Sequence, residues 1–245
     1  MNGSFFLRPA SGVFDVALIA AYLETFPIVA RDLREPNVFT LTDVAMLLAE
    51  EVARRAAGGT FSGKYVRYEL APGEIGVRGI TSDTLHARAA ARWLRARYEL
   101  RIINEELRDV TELCHGDPIV MFGRPRGGSV TRIGFFRELK HGEATGPSLR
   151  ESVRDHAQPD EAKLVAYLKG APGLIASPGP VRDVLAPGAP IGTRSISTDG
   201  VYAWPGDLPY YVAKYHVALP AKFLAHVALE GTAPAFEIDE DLELA

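Results

Sequence analysis

The chain has 245 residues, 47% of them apolar and 24% charged, with a formal net charge of −4. That length allows one large domain or two small ones, and a mean hydropathy near zero excludes a disordered chain. No run of about 18 uncharged apolar residues exists to cross a membrane, and the single cysteine, Cys114, excludes an internal disulfide or a cysteine-rich metal site.

In chain order, the opening segment lacks a basic stretch followed by an apolar one, so no secretory signal is expected and the chain is placed in the cytoplasm. Phe5-Phe6-Leu7 reads as a short strand closed by Arg8-Pro9. Asp15 caps a helix over Val16 to Phe26, where Val16, Ile19, Ala20 and Leu23 recur at helical spacing. A second helix is predicted from Thr42-Asp43 to Ala57, with Gly58-Gly59 as its exit. Lys64 to Leu70 alternates as a strand, Pro72-Gly73 suits a type II turn, and Glu74 to Val77 returns as the hairpin partner. The longest helix is predicted over 82–108, with Leu85, Ala89, Trp93, Ala96, Leu100, Ile103 and Leu107 on one stripe. Pro118 to Phe122 and Val130 to Phe136 read as two strands joined by the cationic loop Gly123 to Gly128.

The polar, Gly/Pro-containing stretch from His141 to Asp160 is the best candidate boundary. It divides an N-terminal domain over 1–145 from a C-terminal module over 158–245 with an acidic tail. After it, Asp160 caps a helix through Leu168 that Gly170 closes, and Leu174 to Ser177 reads as a short buried strand. Arg194 to Ser197 and Val201 to Trp204 flank Thr198-Asp199-Gly200 as a strand–turn–strand. Asp207 caps a helix over Leu208 to His216, and Pro220 opens a last one to Leu229. The fold class is therefore α+β: two halves, each a small mixed or antiparallel sheet with helices packed on it.

Charge is uneven. Residues 1–140 carry 19 basic and 17 acidic side chains, and residues 141–245 carry 8 and 14. Neither half has the excess of positive charge that a nucleic-acid surface needs, so such binding is not expected. Five acids crowd Phe236 to Glu243, read as a solvated tail or as a segment that docks on a basic partner.

The chain has no phosphate-binding glycine loop, no dinucleotide fingerprint, no nucleophile elbow and no paired histidines at metal-ligand spacing. No cofactor, metal or catalytic residue is therefore assigned. Adjacent Cys114 and His115 point apart in either a helix or a strand, so they read as structural. One segment stands out. From Thr198 to His216 it gathers Trp204 and four tyrosines, with Tyr211 and Tyr215 sharing a helix face and Tyr202 and Trp204 sharing a strand face. Such rings have a large apolar body and one polar atom, which suits either a core or a partner surface. The candidate binding residues are Asp199, Tyr202, Trp204, Asp207, Tyr210, Tyr211, Tyr215 and His216.

The run Thr198 to Val212, followed by Tyr215-His216-Val217-Ala218-Leu219-Pro220 and Phe223-Leu224, resembles a C-terminal module of uncharacterised actinobacterial proteins. That module reads T-D-G-x-W-x-W-P-x-D-L-x-Y-Y-V and then Y-H-V-x-L-P. The likeness covers roughly residues 158–228, and Tyr202 departs from it where a tryptophan is usual. Several such proteins are similar in size and make-up to cytoplasmic immunity proteins of bacterial toxin systems, so the resemblance implies a binder and transfers no catalytic residue. The expected function is non-catalytic protein binding, with a basic toxin or enzyme as the occluded partner. The alternatives are an enzyme acting on a small molecule near Asp199, Tyr211 and His216, or a structural component of a larger assembly.

Overall fold

The structure, a computed structural model, describes residues 4–42, 65–79, 85–122, 129–186, 188, 190–236 and 243–244. The helix predicted up to Ala57, the loop from Gly123 to Gly128 and most of the acidic tail lie outside the described residues. The architecture is α+β, in two compact units that divide between Ser129 and Val130. No helix among the described residues is long and apolar enough to cross a membrane.

In the first unit, alternation along β1 (Ser4–Pro9) puts Phe5 and Leu7 on one buried face. β1 pairs antiparallel with β5 (Glu74–Arg78) on one side and β6 (Leu100–Asn104) on the other, so that Leu7 lies between Ile75 and Ile102. β4 (Tyr65–Ala71) joins β5 through the turn at Pro72-Gly73. With β2 (Val29–Arg31) and β3 (Val38–Thr42), they form a six-stranded antiparallel sheet in the order β2-β3-β4-β5-β1-β6. α1 (Val16–Glu24) starts as its sequence dictates: Asp15 Oδ1 accepts the Leu18 amide at 3.0 Å. α2 (Leu85–Arg95) is joined to α1 by the stacked rings of Tyr22 and Trp93, 4.2 Å between centroids.

The long helix predicted over 82–108 is corrected here. It stops at Arg95, and Leu100–Asn104 is a strand. Leu100, Ile102 and Ile103 are buried while Arg101 between them is exposed, a spacing that fits a helix stripe as well as a strand. Pairing with β1 decides between them, and β-branched Ile102 and Ile103 favour it. Leu107, the supposed end of the stripe, is exposed in a left-handed turn. Pro118–Phe122 is a 3₁₀ helix instead of a strand, with Asp117 Oδ1 accepting the Ile119 amide at its start.

The second unit begins earlier than the composition change suggested. β7 (Ser129–Arg132) pairs parallel with β10 (Tyr202–Pro205), aligning Thr131 with Tyr202, and this draws the stretch from His141 to Asp160 into the unit. Next come α3 (Leu149–Ser152), α4 (Glu161–Gly170), β8 (Gly173–Arg182) and β9 (Pro190–Thr198). α5 (Leu208–Tyr215) and α6 (Ala221–Glu230) follow, and the two-residue strand β11 (Glu243–Leu244) lies at the edge of the sheet. The five-stranded mixed sheet has the order β11-β7-β10-β9-β8. The predicted hairpin at Thr198-Asp199-Gly200 forms between β9 and β10, with Gly200 at positive φ. The short buried strand expected at Leu174 to Ser177 is instead part of the exposed edge strand β8, where Ile175 faces solvent.

Tyr167, Tyr202, Trp204, Tyr211 and Phe223 form the core of this unit, each within 3% of full burial. Trp204 also donates its indole N–H to the Leu168 carbonyl at 3.1 Å. Replacing Trp204 with alanine therefore removes a buried ring and leaves that carbonyl unpaired. The expected loss is about 3–5 kcal/mol, read as a lowered urea midpoint; a midpoint within error of the parent would contradict the core assignment.

Candidate functional site

The residues singled out in the sequence take three different roles. Tyr202, Trp204 and Tyr211 are core, which corrects their reading as partner-facing anchors. The rings of Tyr202 and Trp204 pack on Phe223, and Trp204 also on Tyr167, while the buried Tyr211 ring packs against Tyr210 and Tyr215. Asp199 is buried in the hairpin, its Oδ1 accepting the amides of Val201 and Tyr202 and its Oδ2 the Tyr167 hydroxyl at 2.9 Å. Burial alone would raise its pKa, but His226, with Nε2 at 3.5 Å, and the two amides outweigh that and hold it low. His216 ends α5 in a left-handed conformation and pairs through Nδ1 with Glu161 at 2.8 Å. The cleft expected around Asp199, Tyr211 and His216 is thus not assembled: Asp199 engages Tyr167, Tyr211 engages Val184, and His216 engages Glu161.

Half-buried Tyr210 and Tyr215 serve the segment after β8. Their hydroxyls donate to Asp183 Oδ2, as does Lys214 Nζ at 3.1 Å, while Oδ1 accepts the amides of Leu185 and Ala186. Desolvation opposes the charge on Asp183, and these five donors overcome it, keeping the carboxyl well below its usual value of 3.8. The Tyr211 hydroxyl accepts the neighbouring Val184 amide at 3.2 Å. The tyrosines of α5 therefore fasten residues 183–186, and Val184 is one wall of a cavity.

That cavity measures about 300 Å³ and lies within the second unit. Leu139, Pro180, Val181 and Val184 form its apolar side, and Lys140, Arg182 and Arg194 bring three cations. None of these three has a carboxylate partner among the described residues; Arg182 donates only to the Gly188 carbonyl. His141 and Asp207 complete the lining. Asp207 stands at the N-cap position of α5, yet its side chain caps nothing, contrary to the sequence expectation. Its carboxylate is buried and turned toward His141, Oδ1 lying 3.3 Å from Nε2, and neither oxygen accepts a hydrogen bond. A buried carboxylate left in that state costs several kcal/mol unless something else satisfies it.

The loop that carries His141 is tightly built. Glu138 accepts the Ser148 hydroxyl at 2.5 Å and the Leu149 amide at 2.7 Å, tying the loop to the start of α3. Gly142 sits so close to the Phe136 carbonyl that a Cβ there would lie 1.8 Å from its oxygen. Lys140, His141, Arg182 and Arg194 were not among the residues singled out from the sequence. They come from a loop and two strands, and no spacing rule links them; only the glycine after His141 and the glycine before Asp207 hint at backbone held closely. Among the described residues, no group of three or more histidine, cysteine or carboxylate side chains is placed to hold a metal. Cys114 packs with its Sγ 3.5 Å from Met121 Sδ, and burial pushes its thiol up, away from the reactive thiolate.

Comparison with protein-family models, curated proteins and solved structures gives no match for this chain. The geometry of the second unit is therefore what bears on function.

Glu138 supplies a test of how the His141 loop is held. Although desolvation opposes it, hydrogen bonds from Ser148 and Leu149 lower its pKa from 4.5 to about 2. A carboxyl depressed on folding stabilises the fold above its unfolded value and loses that contribution as pH falls toward the folded one. The protein is thus expected to lose stability between about pH 4.5 and 2, and Glu138→Gln should flatten that part of the denaturation profile. An unchanged acid limb in the variant would mean that Glu138 does not pin the loop.

Proposed function

We propose that the second unit holds a small organic anion in the cavity beside His141 and Asp207. Its charged end meets Arg182, Arg194 and Lys140, and its apolar body lies against Leu139, Val181 and Val184. The observation that carries this reading is three cations without carboxylate partners among the described residues, lining a concave, half-apolar space. About 300 Å³ is at the lower end of the range for small-molecule sites, which suits a compact metabolite over a peptide or nucleotide polymer.

Isothermal titration with inorganic phosphate and phenyl phosphate tests this. Phenyl phosphate is expected to bind more tightly, because its ring replaces water on the apolar wall. Arg194→Ala should weaken both by roughly tenfold or more, with the far-ultraviolet circular dichroism unchanged. No binding of either anion, or binding indifferent to Arg194, would overturn the reading.

A further inference from the structure

The anion reading leaves open what His141 does beside so many charges. Facing it are Asp207 from the start of α5, Lys140 from its own loop, Arg182 from β8 and Arg194 from β9, with the edge of the Phe135 ring also packed on it. No other titratable group lines the cavity among the described residues. With a neutral imidazole, three cations against one carboxylate leave an excess of two positive charges. Asp207 lies on the Nε2 side, which favours the tautomer with its hydrogen there and leaves Nδ1 as the proton acceptor. Nδ1 has no partner among the described residues.

We propose that this site selects a dianionic head group, as a phosphate monoester carries, and that His141 takes up a proton when the dianion binds. The proposal rests on the anion reading of the cavity. A dianion cancels the two excess charges, so an added proton on His141 meets no net repulsion. The added proton sits on Nδ1 and is donated to the ligand, while the Nε2–H already turned toward Asp207 faces that carboxylate from a ring that is now charged. A monoanion leaves one positive charge uncancelled, which opposes that protonation. In this arrangement His141 is the specificity-determining residue and Asp207 the positioning residue that holds its tautomer.

Sulfate and methyl sulfate are suitable probes, because they keep charges of −2 and −1 throughout the neutral range. Calorimetry in two buffers of different ionisation heat reads proton uptake directly in the unaltered protein. At about pH 7.5, sulfate is expected to bind with uptake of a large fraction of a proton and methyl sulfate with none. Sulfate affinity should fall by roughly tenfold between about pH 6 and pH 8, across the range where histidine loses its proton. His141→Gln should still bind sulfate but lose both the pH dependence and the uptake. Asp207→Asn should bind while taking up less. The proposal is overturned if sulfate binds without proton uptake, if methyl sulfate binds as tightly, or if uptake survives in His141→Gln. Unchanged uptake in Asp207→Asn would remove the positioning role. If neither sulfate, phosphate nor phenyl phosphate binds the unaltered protein, the anion reading itself fails, which is a different outcome.

Discussion

A carboxylate removed from water has to be answered by other charges or by hydrogen bonds, and Asp207 has only one neighbour that does so. The organisation of the second unit can be followed from that constraint. The Asp207 side chain forgoes the amide bonds that its N-cap position offers and turns to His141. His141 must then be held against it, which falls to a loop braced by Glu138 on the Ser148 end of α3 and by the close approach of Gly142 to the Phe136 carbonyl. Opposite stands the segment after β8, fastened by the tyrosines of α5. Both braces leave the cavity open between them.

Three buried aspartates in the same unit show how differently one side chain can be used. Asp183 is saturated by five donors and Asp199 by two amides, a phenol and the nearby His226, so both are structural knots with lowered pKa values. Removing either would leave several polar groups unpaired, the expensive side of hydrogen-bond energetics. Asp207 alone among them has spare acceptor capacity and faces a space lined with cations. Unspent bonding capacity beside a cavity is what sets a candidate site apart from a satisfied core.

Much of the local structure was legible along the chain. Asp15 ahead of Val16 to Glu24, the Pro72-Gly73 hairpin, the Asp199-Gly200 turn and Pro220 ahead of α6 all appear where expected, because each depends on backbone geometry within a few residues. The failures share a cause. Leu100 to Asn104 has the look of a helix stripe because adjacent Ile102 and Ile103, both buried, break the strict alternation of a half-buried strand, and only pairing with β1 reveals it. The division between Ser129 and Val130 goes with the pairing of β7 to a strand some seventy residues later, a link that composition does not record.

Of the tyrosine- and tryptophan-rich segment, Tyr202, Trp204 and Tyr211 are buried in the core of the second unit. Amino-acid type alone fixed that Trp204, Tyr202 and Tyr211 needed both apolar cover and a place for a polar atom; it could not say whether another molecule or this chain's own core would provide them. Only the tertiary structure decided that, by placing Phe223, the Leu168 carbonyl and the Val184 amide within reach. Local sequence thus determined the turns, the caps and the α+β pattern, since these follow from short-range sterics and hydrogen bonding. The meeting of His141, Arg182, Arg194 and Asp207 was decided by long-range strand pairing and loop closure, because residues so far apart in the chain share no periodicity.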